Sequence, residues 1–462
     1  TRVTGDLLHN AGQLIFDVDM SNKSADLLTV DGYADLRGTI GINAVKASQY
    51  PDGPQTLKII DASGGLDTSE LKTIPSVVAQ YQFETVSGTE LNLSFNIDYA
   101  NEPLLQSLNG NQSRLTAYFD RLYQIGELDE DLTKTLIDIS TTENYALAMN
   151  TLGPELATIN GIAGLYQMLG FADTLFSCPN QERGSIWMDN GQCGYLTFNR
   201  NRLDRDATSG ASGFTQNGLR IGVGGQMLLE NDFAIGAALA YDSTTLTTDA
   251  NATSDGNTFS GGLSVKRFVD NWEFGAAIYA GNGRFDNTRS VGTMFVGGEQ
   301  KQRIAGAELR AGYAFEQGGW LFRPRLGLGV AHFANSSFTE GGSDAALAID
   351  TSSETFAYLR PALEVSSSFL TSRGTEIRTN AVFSLTHFID NTTFDATARL
   401  ANALNSVAPV HWQTDVDKTT FDLSAGVTIV SASGISFDIS AFGHLSENER
   451  GYGAMLRLNI PF

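Results

Sequence analysis

From Tyr452 to the end of the chain, apolar or small residues fall on every second position: Ala454, Leu456, Leu458, Ile460 and Phe462. Gly453, Met455, Arg457, Asn459 and Pro461 lie between them. A period of two is a strand with one greasy face. In water such a strand at a bare chain end is an aggregation hazard. It is safe when its apolar face meets lipid and its edge closes a barrel. The same period runs back to Cys193 and predicts twelve strands: 193–202, 213–227, 232–243, 256–270, 272–284, 301–316, 319–333, 353–369, 374–389, 416–430, 433–446 and 450–462. Most exceed the roughly 5–6 residues of a globular strand. They suit a tilted membrane crossing, which needs about 9–11.

The faces alternate cleanly. In 272–284, Trp272, Phe274, Ala276, Ile278 and Ala280 share one side. In 319–333, Trp320, Phe322, Pro324, Leu326, Leu328 and Val330 oppose Arg323, Arg325 and small residues. Pro324 and Pro361 each remove a ladder donor, so a local bulge or a water is expected at both. The links alternate too. Tight turns follow every even strand, and longer links (203–212, 244–255, 285–300, 334–352 and 390–415) follow all but the last odd one. Short turns on one rim and long loops on the other are the pattern of an outer-membrane barrel. An even strand count puts both ends of this domain on the short-turn rim.

Two other periods precede the barrel. Residues 1–98 carry short strand patterns broken by Gly and Asp turns, such as Leu14, Phe16 and Val18, or Leu28 and Val30 before Asp31-Gly32. Short strands with frequent turns predict the coils of a parallel β-helix, with a small β-sandwich as the alternative. In 99–192 the spacing becomes helical: Leu115, Phe119 and Leu122, then Leu132, Leu136 and Ile139, then Tyr145, Met149 and Leu152. Asp129 is placed to cap the second of these helices. Pro154 opens a slender, nearly uncharged stretch over 155–176. Its small residues suit a helix threaded through a narrow polar tube, or equally one packed on a neighbouring helix. The fold class expected is all-β with a helical linker: a 12-stranded antiparallel transmembrane β-barrel plugged by an α-helix, after a short parallel β-helix.

Composition narrows the partners. The 462 residues hold 30 Lys and Arg against 52 Asp and Glu, a net charge of −22. Phosphate backbones want the opposite sign, so nucleic acid is excluded as a partner class. Mean hydropathy is −0.12 and no run approaches the roughly 20 apolar residues of a membrane helix. No cofactor, metal or catalytic motif is evident. His9, His332, His387, His411 and His444 are scattered and form no ligand spacing. Gly222-Val-Gly224-Gly225 resembles a phosphate loop only superficially, since it lies inside an alternating strand.

On the polar faces of the sixth to ninth strands stand Glu308, Arg310, Arg323, Arg325, Arg360, Glu364, Glu376 and Arg378. Facing lipid, each Arg would cost about 2–4 kcal/mol at mid-depth, so these side chains are expected in the lumen. They read as a polar track for a passing chain and a cradle for the final helix, or as plain charge pairing. Trp272, Trp320, Tyr241 and Phe462 are candidates for interfacial aromatic girdles. Cys178 and Cys193 are expected to form a disulfide, because both fall just before the barrel in an oxidising compartment; two free thiols are the alternative.

Together these regions resemble an autotransporter of the type V secretion family over essentially the whole chain. Leu456, Leu458, Ile460 and Phe462 resemble its terminal assembly signal. Gly12-Gln-Leu14 through Phe16, Ser24 to Val30, and Gly32 to Gly38 resemble the last coils of its passengers. Leu57 to Gly65 resembles a conserved turn of the autochaperone region. Asn111-Gln112 begins what is similar to its linker, Gly153-Pro154-Glu155 stands where the pore helix starts, and Cys193-Gly-Tyr195 resembles the first barrel strand, where the family more often has Trp at the Tyr195 position. The helical region is long for the family and could hold helices outside the pore.

The resemblance implies a bacterial outer-membrane translocator that anchors and exports its own N-terminal passenger, not an enzyme. Its implied partners are outer-membrane lipid, the barrel-assembly machinery and periplasmic chaperones, and a monomer is expected. The chain opens mid-pattern, so a longer exported precursor is expected. A surface adhesin and a passive porin are the other readings.

Overall fold

The computed structural model describes residues 1–49, 54–177, 192–208, 210–372, 375–403 and 407–461. Residues 1–73 wind as three coils of three short strands each. Arg2–Val3, Leu28–Val30 and Gln55–Ala62 stack in parallel on one face. Leu7–His9, Ala34–Leu36 and Leu66–Asp67 stack on the second, and Gln13–Asp19, Thr39–Val45 and Lys72–Thr73 on the third. That is a parallel β-helix, not a sandwich. Its interior holds Phe16, Val18, Val30, Ala34, Leu36, Ile40 and Ile60. Tyr81, Phe83, Leu91, Leu93 and Phe95 do not continue the coils. They belong to an antiparallel hairpin, Ala79–Val86 with Glu90–Ile97, whose second strand pairs antiparallel with the last coil. The alternation is the same in both arrangements, so the period alone could not tell them apart.

Five helices follow: α1 Glu102–Ser107, α2 Gly110–Gln124, α3 Glu130–Ile137, α4 Thr142–Leu152 and α5 Glu155–Leu175. Their starts are capped as their sequences dictate. Asn109 and Gln112 form a reciprocal capping box on α2, and Asp129 accepts from two backbone N–H groups of α3. Helices α1 to α4 bury Leu115, Phe119, Leu132, Leu136, Tyr145 and Met149 in one core shared with the coils.

The barrel closes in chain order. Twelve long strands form an antiparallel ring in which Cys193–Arg205, the first, pairs with Glu449–Ile460, the last. Gly194 faces Ile460, so both ends lie on one rim. Two of the long links are shorter than their sequences suggested. The link 285–300 is mostly strand, because Trp272–Val291 and Met294–Tyr313 extend as one hairpin with a two-residue turn. The link 244–255 narrows likewise to 249–252. Past the lipid belt the outward residues turn polar, as with Arg284, Asp286 and Thr288, which hides the continuing strand from a hydrophobicity pattern. The links 334–352 and 390–415 contain a separate four-stranded antiparallel sheet of Phe338–Thr339, Leu347–Ile349, Thr393–Leu400 and Val410–Asp415.

Neither strand proline makes a bulge. Pro324 and Pro361 keep their register with Leu363 and Leu326. Instead the ladder lapses for a step: Ala314 leaves the sheet near Pro324, and pairing to the next strand skips Arg360 and Pro361. The missing N–H is absorbed by omitting a rung, not by inserting a residue.

Candidate functional site: a plugged pore under an outer collar

Helix α5 runs through the barrel. It has 21 residues, which at 1.5 Å each span roughly 32 Å, close to the thickness of a bilayer core. Seventeen of its residues are buried, on every side of the helix. Among the described residues no helix is long and apolar enough to cross a membrane by itself. What α5 meets is the inner wall of a barrel and, near its start, the loop strands Thr393–Leu400 and Val410–Asp415. Its small residues are needed there: a Cβ on Gly161 would lie 2.5 Å from the Phe394 ring, and one on Gly164 would lie 2.3 Å from Gln302 Oε1.

The helix is held by an apolar core, in which Ile162, Leu165 and Phe171 are buried with Ile304, Phe333 and Phe356, and by polar contacts spread along its length. Near the top, Thr158 shares a hydrogen bond with Thr414 at 2.7 Å, and the Asn160 amide donates to Asn287 and Gln300 at 2.9 Å. Midway, Arg220 donates to the Gln167 carbonyl, and the Tyr166 hydroxyl donates to Glu449. At the lower end the last carbonyls, which a helix leaves unpaired, are met by the wall. Tyr195 donates to Thr174 O at 2.6 Å, Ser264 to Leu175 O at 2.8 Å and Lys266 to Phe176 O at 2.9 Å. The Lys266 cation also complements the negative end of the helix dipole. Asp173, the one acid of this lower turn, is held by Arg310 and by Arg360, the latter at 2.7 Å.

The eight charged residues singled out in the sequence all lie on the inner face, and Asp173 links two of them. Glu308 accepts from Arg310 and from the Tyr358 hydroxyl at 2.8 Å. Glu364 stands 3.7 Å from both Arg323 and Arg325, and Arg378 pairs with Glu376 at 2.8 Å. Sequence reasoning missed Lys266, Arg220 and Glu273 on neighbouring strands, and the buried cluster of Arg205, Asp417, Glu449 and His444. The signal was available for Lys266, Arg220, Glu273 and His444, each a charge on the polar face of an alternating strand; Arg205 and Glu449 lie beyond the predicted strand bounds, and Asp417 lies between two strands.

The helix lies off centre. It packs against the barrel strands between 214 and 313 and the loop strands Thr393–Leu400 and Val410–Asp415, and leaves a cavity of about 450 Å³ along the opposite wall. Small polar side chains such as Ser384, Thr428 and Ser440 line that side, with Asp422 and Asp438 among them. Of the terminal residues, Leu456 and Ile460 are exposed on the outer wall and Leu458 is half-buried beside them, while Phe462 lies outside the described residues. Trp272, Trp320 and Tyr241 are all exposed on the outer wall. Cys193 is a disulfide cysteine; its expected partner, Cys178, lies outside the described residues. Among the described residues no group of three or more His, Cys, Asp and Glu side chains is placed to hold a metal ion.

Over the long-loop rim sits a collar. The Asn111 amide donates to Gln413 O at 2.7 Å and accepts from Gln413 N–H at 3.0 Å. Arg114 donates to His411 O, and Leu400 N–H donates to the Tyr118 hydroxyl. Leu347, Ile349, Ala398, Leu400 and Trp412 from the loop sheet join the core of α1 to α4 and the coils. The collar is also fixed to the coils by Glu130, which accepts from Ala47 N–H at 2.8 Å and from Ser48 N–H and Oγ–H at 3.0 and 2.7 Å. Burial works against its ionisation, but these donors outweigh burial and hold its carboxyl below the ordinary range.

A closed twelve-stranded barrel with a helix through it, coils above and short turns below has a counterpart among known families. The family model described as Autotransporter beta-domain matches residues 195–441, more than half of the chain. The chain belongs to this family. An autotransporter β-domain sits in the bacterial outer membrane, where it anchors and exports its own N-terminal passenger; as a translocator the barrel is not itself catalytic. Among solved structures, the translocator domain of the autotransporter NalP from Neisseria meningitidis is similar at a TM-score of 0.51 and 12% identity, over 66% of this chain and 98% of that one. The β domain of the Bordetella autotransporter BrkA matches at 0.42 and 15%, over 59% and 99%. At such identities the NalP likeness speaks to the autotransporter fold alone. A search among curated proteins returns no match.

Proposed function

We propose that this autotransporter exports its β-helical coils through the barrel and then keeps them at the cell surface, seated on the collar, with α5 left behind as the plug. The observation that carries the reading is the continuous path of α5 from the collar at Glu155 to Leu175 at the inner rim, inside a closed ring. Coils that stack only on their neighbours can fold one at a time as they emerge. A filled lumen counts against a passive porin.

Lipid is the proposed partner of the outer wall, where Leu263, Ile278, Leu309, Leu326 and Leu328 are more than half exposed or nearly so. The row Leu456, Leu458, Ile460 and Phe462 is the proposed signal for the barrel-assembly machinery, the barrel working as a monomer with periplasmic chaperones upstream of insertion. No catalysis is proposed for coils or collar.

A peptide tag placed before Thr1 tests the reading in cells. The tag is expected to be digested by protease added to intact cells. Leu458→Asp, which puts a charge against the hydrocarbon, is expected to lower both inserted barrel and surface tag several-fold. A tag reached only after the outer membrane is permeabilised would contradict export, and normal insertion of the Leu458→Asp chain would contradict the assembly role.

A further inference from the structure

Two cations on the outer wall stand apart from the charge pairing seen elsewhere. Arg284 and Arg303 are both exposed, and among the described residues neither guanidinium has an ion-pair or side-chain hydrogen-bond partner. Their height is informative. Trp272 and Tyr313 face each other at the inner rim, and Arg303 lies ten residues farther along the same strand as Tyr313. At about 3.4 Å per residue and a tilt of about 40°, that is roughly 26 Å above the rim, against a lipid belt of about 25 Å. Below Arg303 the outward positions are apolar: Leu309 on its own strand, Ile278 and Val330 on its neighbours. Arg303 therefore stands where the acyl chains of the outer leaflet end and its headgroups begin.

The register sets the surroundings. Asn282, Arg303, Ala334 and Ser353 form one row across four strands, and Asn257, Arg284 and Lys301 form the next row outward. Beside Arg303 opens a cleft of about 520 Å³ lined by Asn335, Ser336, Ser337, Thr351 and Ser353. No carboxylate lines it. Glu299 is taken up by Lys301 at 3.1 Å, and Asp286 and Asp255 lie a step farther from the membrane. Unpaired guanidinium groups offer the forked donors that phosphate takes best. The Asn335 amide is taken up by Gln300, Gln302 and Ser352, but the hydroxyls of Ser336, Ser337, Thr351 and Ser353 around the cleft suit the hydroxyls of a sugar.

We propose that Arg284, Arg303 and the adjoining serine-rich cleft bind the phosphorylated sugar headgroup of an outer-leaflet glycolipid, its acyl chains lying down the wall past Ile278, Leu309 and Val330. The inference rests on the reading above that the collar side faces outward. The lipid, and not free phosphate, is the ligand because the two cations border the belt directly.

Native mass spectrometry of the full chain in mild detergent tests it. The probes are bisphosphorylated lipid A, its dephosphorylated form, phosphatidylglycerol and inorganic phosphate. One lipid A is expected to remain bound, and at least fivefold less in Arg284→Ala/Arg303→Ala. Ser353→Trp, which fills the cleft without touching either charge, is expected to give a similar loss. Heat-modifiable mobility shows that each variant still forms the barrel. Equal retention by the double variant, or equal binding of dephosphorylated lipid, would overturn the proposal. So would equal binding of phosphatidylglycerol, or displacement of lipid A by millimolar phosphate. Failure of the lipid test with the N-terminal tag still displayed on cells would sink the lipid site alone and leave the translocator reading standing.

Discussion

The collar and the pore hold neighbouring stretches of one chain in different ways. Outside, α2 meets the loop sheet through a continuous apolar core in which Leu115, Phe119, Leu347, Leu400 and Trp412 are almost fully buried. Inside, α5 has an apolar core of its own, in which Ile159, Ile162, Leu165 and Phe171 are buried with Ile304, Phe333 and Phe356, but polar contacts are set along its whole length and an open crescent lies on one side. The difference suits the two tasks. A surface that must retain the coils gains from an interface resembling a domain core, at about 25 cal/mol per Å² of apolar area. A lumen through which a whole passenger must slide gains from an open side lined by small and polar side chains such as Ser384, Thr428 and Ser440, which grip no segment strongly. The final contacts are specific to α5: Asp173 finds two arginines, and its carbonyl end finds Tyr195, Ser264 and Lys266.

The contrast breaks most sharply at Trp412. Its ring is fully buried and packs so closely on Gly153 that a Cβ there would lie 2.3 Å away. Trp412→Ala is expected to cost the collar about 3–5 kcal/mol. Limited proteolysis should then release a fragment from within 1–152 while the barrel keeps its heat-modifiable mobility. If the fragment stays protected, the collar is not held by this core.

A smaller effect is expected at Asp173. Its side chain is 47% exposed to the lumen, so water screens its pairs with Arg310 and Arg360. Asp173→Asn should weaken retention of α5 by about 1–2 kcal/mol. It should appear as brief current openings in planar bilayers, with collar proteolysis unchanged.

The smallest is Glu130. Its carboxyl titrates below its ordinary value near 4.5, so it binds its proton less readily in the folded chain than in the unfolded one. Its contribution is therefore present above that ordinary value and lost as pH falls through the lowered one. Proteolysis of the coils should rise in the parent chain as pH falls below that ordinary value and through the lowered one, by roughly 1 kcal/mol of lost protection. The Glu130→Gln chain should be weakened at neutral pH and show little of that acid dependence.

Much of this architecture was legible because lipid imposes a strict pattern. The twelve strands declare themselves by outward residues such as Phe274, Ile278, Leu326 and Leu328, which a soluble sheet would not align over such lengths. Helix 155–176 was legible as slender and nearly uncharged, but not its surroundings: Gly161 and Gly164 fit a barrel wall as well as a neighbouring helix until Phe394 and Gln302 are seen beside them. The strands beyond the belt were hidden, since Asp286 and Thr288 face water on one side and Asn287 and Arg289 face polar partners on the other. The loop sheet was hidden for another reason. Its core partners, Tyr118 and Leu115, lie nearly 300 residues away from Leu400 and Trp412 in sequence, and no local period reports a contact of that separation.

The central claim is that α5 closes the pore, and single-channel conductance in planar bilayers tests it most directly. The comparison is between the full chain and one lacking residues 1–176, because removing α5 alone would leave the collar tethered on the wrong side. With α5 in place the account predicts a small, steady conductance through the crescent beside the helix. Without it the conductance should rise several-fold. Equal conductance from the two chains would contradict the account.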